Sequence, residues 1–320
     1  MIRKMVAVLP LPEESLREQL KNAAEARGFL LKHFVSDEDA LPELEDAEIL
    51  LGQSAFLAKN APRVRWICTP SAGIDQFAAP GVIASPDAAL SNSSGAYGVT
   101  IAEHVVMAAL EMLRRQQDYE EIVRRREWVR NLPVRSLRDA RITLLGTGDI
   151  GRETAVRLRG FAPASLTGVN RGGKNPDGLF DRVLTRDRLR DVLPETDILI
   201  ASLPGTPETK GMLSRESLAL LPDGALLVNV GRGSLLDQRA LEAELRAGRL
   251  RAALDVFEEE PLPPDASLWS CPNLLITPHT AGNMTLPYTR RRIVELFLED
   301  FENYCAGRPL LRRVDPRRGY

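Results

Sequence analysis

Three titratable side chains stand at or just after the ends of separate apolar runs: Arg232 in NVGRGS, Glu260 in LDVFEEEPLP and His279 in ITPHTAG. Their types form a complementary set. The planar guanidinium of an arginine matches a carboxylate through two parallel hydrogen bonds. A histidine can give a proton to a developing alkoxide and withdraw it in the reverse direction. A glutamate bonded to that imidazole would orient the ring and stabilise the charge it carries while it holds the proton. Reduction of a 2-oxo acid needs these services together: a cation for the carboxylate and carbonyl, a proton donor for the C2 oxygen, and a group that tunes the donor. Taken singly, a histidine beside a proline is more often structural, and Glu260 adjoins Glu258 and Glu259 in a run that solvation alone would explain. The combination carries the reading.

A second constellation supplies a place for an electron carrier. Strand-like Ile142-Thr-Leu-Leu runs into Gly146-Thr-Gly148-Asp-Ile-Gly151 and then into a helical stretch, Arg152 to Arg159. Gly146 permits the tight turn, Gly148 lets the backbone approach a pyrophosphate, and Gly151 lets the helix pack close to the strand. The amides of Asp149 and Ile150 then face phosphate oxygens at a helix N-terminus. Dinucleotide sites that take NAD place an acidic residue about 20 positions further on, for the ribose 2′-hydroxyl. Here, 19 residues after Gly151, stands Asn170, followed by Arg171, Gly172, Gly173 and Lys174. A carboxylate would repel a 2′-phosphate, whereas Arg171 pairs with it and Lys174 adds a point charge. NADP(H) is therefore expected over NAD(H); the competing reading makes both cations ordinary loop residues.

These residues need a scaffold of strand ends. Short apolar runs (Met5 to Leu9, Glu48 to Leu51, Val64 to Cys68) alternate with helical stretches up to about residue 100, and a second α/β series starts at Arg141. In that series ILIASLP, ALLVNVG, AALDVF and LLITPH each end at a glycine, proline or polar residue, where open parallel sheets bind their ligands. A long apolar helix is expected from Ile101 to Arg115, a solvated or subunit-facing stretch after it, and a last helix from Leu286 to Cys305. The fold class is thus α/β: two Rossmann/flavodoxin-like parallel-sheet domains, the second inserted into the first, with boundaries near 100 and 282.

Composition narrows the function classes. The chain has 320 residues, 44% of them apolar and 27% charged, as in ordinary globular domains. A net charge of -2 provides no field for nucleic acid or an anionic membrane. The apolar run at the start is too short for a signal peptide and reads as a first strand, and no stretch approaches the ~20 apolar residues that cross a bilayer. Cys68, Cys271 and Cys305 have no metal-ligand or disulfide spacing; a reducing cytoplasm, no metal, and thiols without function are expected.

Gly-Thr-Gly-Asp-Ile-Gly, Asn-Val-Gly-Arg-Gly, Leu-Asp-Val-Phe-Glu-Glu-Glu-Pro-Leu-Pro and Ile-Thr-Pro-His-Thr-Ala-Gly, in this order and spacing, resemble the D-isomer-specific 2-hydroxyacid dehydrogenase family. Ile101-Ala102-Glu103-His104 and SLPGTPETKG, with Leu203, Pro204, Thr206 and Thr209, match the same family. The resemblance implies a substrate domain of residues 1–100 and 283–320 and a dinucleotide-binding domain of 101–282, with the active site in the cleft between them. It implies Arg232 as the substrate-binding arginine, His279 as the acid/base and Glu260 as its partner. It further implies cofactor contacts from Leu203, Pro204, Thr209, Val230, Gly231 and Gly282, and from Asp255, which would hold the nicotinamide carboxamide. The amides of Ala72 and Gly73 would grip the substrate carboxylate. On chemistry alone SAGID is either a small anion nest or a plain loop, and Asp255 could equally cap a strand end. Tyr97, Gln53, Ser54 and Trp269 are candidates for shaping the substrate pocket. A homodimer through the Ile101–Arg115 helix is implied as well. Asn170-Arg171 and the ending Val-Asp-Pro-Arg-Arg-Gly-Tyr look most like NADPH-preferring glyoxylate/hydroxypyruvate reductases. The competing readings are a D-lactate-type dehydrogenase, a short phosphoglycerate-type dehydrogenase without a C-terminal regulatory extension, and a dinucleotide-binding corepressor-like interaction protein.

Overall fold

The computed structural model describes residues 3–175 and 177–316; the Arg-Arg-Gly-Tyr end of the C-terminal motif lies outside the described residues. The chain divides into two compact units, one of residues 1–97 with 283–320 and one of residues 98–282.

In the first unit, β1 (Arg3–Val8), β2 (Phe29–Phe34), β3 (Ile49–Leu51), β4 (Trp66–Cys68) and β5 (Ala89–Ser91) form a parallel sheet in the order β2-β1-β3-β4-β5. The two short inner strands β3 and β4 are buried throughout, as unbroken apolar runs covered on both faces should be. One layer of the core gathers Val6, Leu50 and Ile67 from the sheet with Leu57, Val64 and Phe77 from the connections. The chain returns to this unit through the Pro287–Cys305 helix, whose proline occupies the first turn, where a missing N–H costs nothing. Phe297 of that helix stacks on Trp66, centroids 5.0 Å apart, while the Trp66 indole donates to Ser91 Oγ at 2.9 Å. Arg290 closes the return by donating from Nε to both Glu13 oxygens at 2.9 and 3.0 Å.

In the second unit, β6 (Arg141–Leu145), β7 (Ser165–Asn170), β8 (Arg182–Thr185), β9 (Ile198–Ala201), β10 (Leu226–Asn229), β11 (Arg251–Leu254) and β12 (Leu274–Ile276) form a parallel sheet in the order β12-β11-β10-β9-β6-β7-β8. The strand order turns back between β6 and β9, and the crevice beyond the carboxyl ends at such a point is where these sheets bind ligands. The Gly98–Arg114 helix begins earlier than Ile101 because Gly98 and Thr100 are buried with Ile101, Ala102, Val105 and Ala109 in one stripe. It stops where Arg115 turns left-handed (φ 57°) into the Gln116–Arg124 helix, of which only Ile122 is buried. Trp128, beyond it, is 88% exposed.

No described helix is long and apolar enough to cross a membrane. All three cysteines are free; Cys68 and Cys271 are buried and Cys305 is half-buried. Burial pushes the Cys68 thiol up to about 12, and thiols react as thiolates. In native protein at pH 8, Cys68 should alkylate roughly a hundredfold more slowly than Cys305 and become equivalent to it in urea, as read by peptide mass mapping; equal native rates would contradict this burial.

Candidate active site

The glycine turn after β6 is built by contact. Gly146 has φ 102°, in the left-handed half of the map. A Cβ on Gly151 would lie 2.1 Å from the Gly146 carbonyl oxygen, so the Asp149–Arg159 helix can rest on the turn only with glycine there. A Cβ on Gly148, by contrast, would meet nothing within 4 Å: the backbone in front of the helix N-terminus borders open space. The helix starts at Asp149 rather than Arg152, so the Asp149 and Ile150 amides belong to its first turn, where donors lack helical partners. The Asp149 carboxylate lies against Gly98, where a Cβ would sit 2.6 Å from Oδ2. It thereby places a negative charge at the N-terminus of the Gly98–Arg114 helix, which the helix dipole favours.

Asn170, the last residue of β7, spends its whole amide on the loop it opens. Nδ2 donates to Thr147 Oγ1 at 2.7 Å and to the Lys174 carbonyl at 2.9 Å, while Oδ1 accepts from the Gly172 and Gly173 amides at 3.0 and 2.7 Å. A carboxylate has no N–H for the first two bonds. Asn170 therefore ties the 171–174 loop, with its exposed Arg171 and Lys174, to the glycine turn. The sequence offered no sign of a further cation here. Asn170 pairs with Thr185 across the β7–β8 register, so the next residues, Arg171 and Arg186, leave neighbouring strands together. Thr206, the Glu208 backbone amide and the charges of Arg186 and Arg171 hold the Glu208 carboxyl below its usual range, which puts an acid beside this basic edge. Within the same loop Thr209 is buried; its hydroxyl donates to the Pro204 carbonyl at 2.7 Å and accepts from Thr206 N at 2.9 Å. Thr209 thus staples the Leu203–Pro204 segment from inside.

Arg232, Glu260 and His279 follow β10, β11 and β12, three neighbouring strands. Two glycines set Arg232. A Cβ on Gly231 would lie 2.6 Å from the Leu203 carbonyl oxygen, and one on Gly233 would lie 1.9 Å from the Phe257 carbonyl carbon and oxygen. The β10 loop is therefore seated directly on the backbone of the β11 loop. Asn229 pins it, accepting from Gly231 N at 3.1 Å and donating to the Arg232 carbonyl at 3.1 Å. The Arg232 stem lies on Gly205, and Nη1 donates to the Gly231 carbonyl at 2.8 Å. Val230 is buried behind it.

Glu260 and His279 meet: Glu260 Oε2 lies 2.6 Å from His279 Nδ1, and Oε1 accepts from Phe257 N at 2.9 Å. The His279 backbone is left-handed (φ 52°), a conformation that costs a non-glycine residue roughly 1–2 kcal/mol. It is over-determined by Asp255. The Asp255 carbonyl accepts from His279 N at 2.8 Å, and its carboxylate accepts from the Thr277 hydroxyl at 2.6 Å, Thr280 N at 2.9 Å and Ala281 N at 3.0 Å. Asp255, buried, is the organiser of the 277–282 turn, which ends at Gly282.

In the first unit, the segment after β4 that contains Ala72 and Gly73 is cross-braced. Asn92 Nδ2 donates to the Ala72 carbonyl at 2.7 Å, Ser71 Oγ to the Gly73 carbonyl at 2.7 Å, and the buried Tyr97 hydroxyl to the Pro70 carbonyl at 2.7 Å. Tyr97 thus supports this loop from below, Ser54 caps the Ala55–Lys59 helix, and Trp269, half-exposed, donates to the Pro263 carbonyl. Among the described residues no group of three or more His, Cys, Asp or Glu side chains could hold a metal ion.

Residues 106–281 match the model of the D-isomer-specific 2-hydroxyacid dehydrogenase NAD-binding domain. A glyoxylate/hydroxypyruvate reductase A of Salmonella heidelberg is 33% identical over 224 residues, 70% of each chain. A D-isomer-specific 2-hydroxyacid dehydrogenase family protein from Aeromonas salmonicida superposes with a TM-score of 0.86 at 29% identity, covering 99% of this chain and all of that one. The NADPH-dependent glyoxylate/hydroxypyruvate reductase of Sinorhizobium meliloti, solved with NADP and sulfate, gives 0.82 at 26% identity over 99% of this chain and all of that one.

The contrast between two glycines is measurable. Gly233→Ala must displace the Phe257 peptide and should lower the thermal midpoint by several degrees, about 1–3 kcal/mol of overpacking. Gly148→Ala, with open space before it, should leave the midpoint within a degree. Equal midpoints for the two variants would refute the seating of one loop on the other.

Proposed function

Because the chain belongs to the D-isomer-specific 2-hydroxyacid dehydrogenase family, we propose that it is an NADPH-dependent reductase of a small 2-oxo acid of the glyoxylate or hydroxypyruvate type. The observation that carries the reading is the 2.6 Å pair of Glu260 and His279, the first of them on the loop that also seats Arg232. The residues present fit a dinucleotide: open space before Gly148 at a helix N-terminus suits a pyrophosphate, and Val230, Gly231, Leu203 and Pro204 lie at the strand ends beside it. When bound, the reduced nicotinamide supplies a hydride to C2 of the acid.

The remaining work falls to side chains. Arg232 pairs with the carboxylate and polarises the carbonyl. His279 holds a proton on Nε2, with Nδ1 fixed by Glu260, and gives it to the C2 oxygen as negative charge develops there. Glu260 anchors Nδ1 and keeps the ring from turning. Ala72 and Gly73 are assigned the role of amide donors to the carboxylate. Asp255 Oδ2 accepts from the Ala281 amide and, with two lone pairs, retains capacity for a carboxamide N–H.

Arg171, with Lys174 and Arg186, is assigned to the ribose 2′-phosphate; the Sinorhizobium relative named as NADPH-dependent supports this choice. The free cysteines support a cytoplasmic setting. A homodimer is supported by the exposed apolar side chains of Val123, Trp128 and Val129, which follow the Gly98–Arg114 helix.

Purified protein should oxidise NADPH with glyoxylate or hydroxypyruvate, with kcat/KM higher than for NADH. His279→Ala should lose about 10²–10⁴-fold in kcat. Arg171→Ala and Arg186→Ala should each raise the KM for NADPH about tenfold while leaving that for NADH nearly unchanged. Cofactor binding without turnover of any 2-oxo acid would favour the corepressor-like reading. The second copy is checked by sedimentation: Trp128→Glu should shift a dimer towards monomer, and a monomeric parent protein would remove this element of the reading.

A further inference from the structure

Behind the His279 turn, His104 and Thr277 make polar contacts that none of the steps above uses. His104 stands in the second turn of the Gly98–Arg114 helix, half-buried, with Nε2 3.2 Å from Thr277 Oγ1. The Thr277 hydroxyl lies 2.6 Å from Asp255 Oδ1. A carboxylate only accepts, so the single Thr277 hydrogen goes to Asp255, and the threonine oxygen has only lone pairs to offer His104. The donor in that contact is therefore the imidazole, through Nε2–H. Burial pushes the His104 imidazole down, and the Asp255 charge only partly opposes it, which favours the neutral ring.

The consequences converge on one bond. Asp255 Oδ1 accepts from Thr277 and from the Thr280 amide, Oδ2 accepts from the Ala281 amide, and the Asp255 carbonyl holds the His279 amide. Three of these four bonds grip residues 279–281, and the fourth comes from Thr277, which also meets the helix at His104. A left-handed histidine persists only where its surroundings leave it no alternative. We propose that His104 and Thr277 are positioning residues for proton transfer: the Nε2–H of His104 orients the Thr277 hydroxyl onto Asp255, and Asp255 so fixed presents His279 to Glu260 in its left-handed conformation. This rests on the reading of His279 as the acid/base. His104 itself touches neither substrate nor reacting atoms; it couples the long helix to the turn that carries the proton.

The test combines kinetics with a readout that needs no turnover. His104→Leu should lower kcat roughly tenfold to a hundredfold, leave the KM for NADPH within about twofold, and raise the solvent deuterium isotope effect on kcat, because a misplaced donor makes proton transfer slower than the other steps. His104→Gln, whose side-chain amide can donate from nearly the same place, should recover most of the loss. Thr277→Val, close in shape but without the hydroxyl, should reproduce the leucine variant, and Thr277→Ser should behave as wild type. The chain has three histidines, His33, His104 and His279, so their ¹⁵N imidazole resonances can be assigned by single substitutions. At pH 7, His104 should be the neutral Nε2–H tautomer, and the His279 resonances should shift in Thr277→Val. A leucine variant with wild-type kcat and isotope effect overturns the proposal, as does an Nδ1–H tautomer for His104. Equal losses in His104→Leu and His104→Gln, with lowered thermal midpoints in both, also overturn it in favour of simple packing. If the wild type turns over no 2-oxo acid, the proposed function fails, and the imidazole spectra alone then decide whether the His104–Thr277 clamp exists.

Discussion

The contact of the Gly233 backbone with the Phe257–Glu258 peptide is the constraint on which the rest of the site depends. Parallel strands deliver their ends in a row, about 4.8 Å apart, but the loops that follow are free to diverge. Here they cannot. With no side chain at Gly231 or Gly233, the β10 loop lies on the backbones of Leu203 to one side and Phe257 to the other. Three loops from β9, β10 and β11 become one layer, and Arg232, between the two glycines, has little choice of position. The same contact is with the peptide that follows Phe257, the residue whose own amide Glu260 uses as its second anchor. A change of one methyl group in this layer is therefore felt by an arginine and a glutamate at once.

Asp255 has the corresponding role at the next strand. Buried at the end of β11, its carboxylate accepts from one hydroxyl and two backbone amides. Such a cluster resists rearrangement, because freeing any donor would leave a buried carboxylate under-bonded. The strain of a left-handed His279 is thus balanced locally, between Asp255 and the turn it organises, and does not draw on the core of the sheet.

Much of this was legible in the sequence, and the reasons differ by residue. Gly146, Gly148 and Gly151 could be read because a strand, a turn and a helix each leave a mark in composition, and the α/β class followed from apolar runs that end in polar residues. The edges were harder. β2 has only Phe29 buried and β8 has no buried residue, so neither has the apolar run that marks an inner strand. Without β8 there was no register, and without the register Arg186 had no link to Arg171. Thr277 and His104 were hidden for another reason: they lie 173 positions apart, and only the fold brings them together. Asn170 was read for the acid it replaces, while its bonds reveal what it does instead, which is to hold the Lys174 carbonyl and Thr147. Tyr97 and Ser54, candidates for a pocket, spend their hydroxyls on a loop carbonyl and a helix cap.

The Asn170–Thr185 register sets Arg171 and Arg186 on the outermost pair of strands, three or more strands away from those that carry Arg232, Glu260 and His279. In evolutionary terms the edge is a separable module: a lineage can exchange an arginine for an acid there, or shorten the 171–174 loop, without disturbing the layer of loops that carries Arg232 and Glu260. Variation in the electron donor and constancy in the reaction are then expected outcomes of the same strand order.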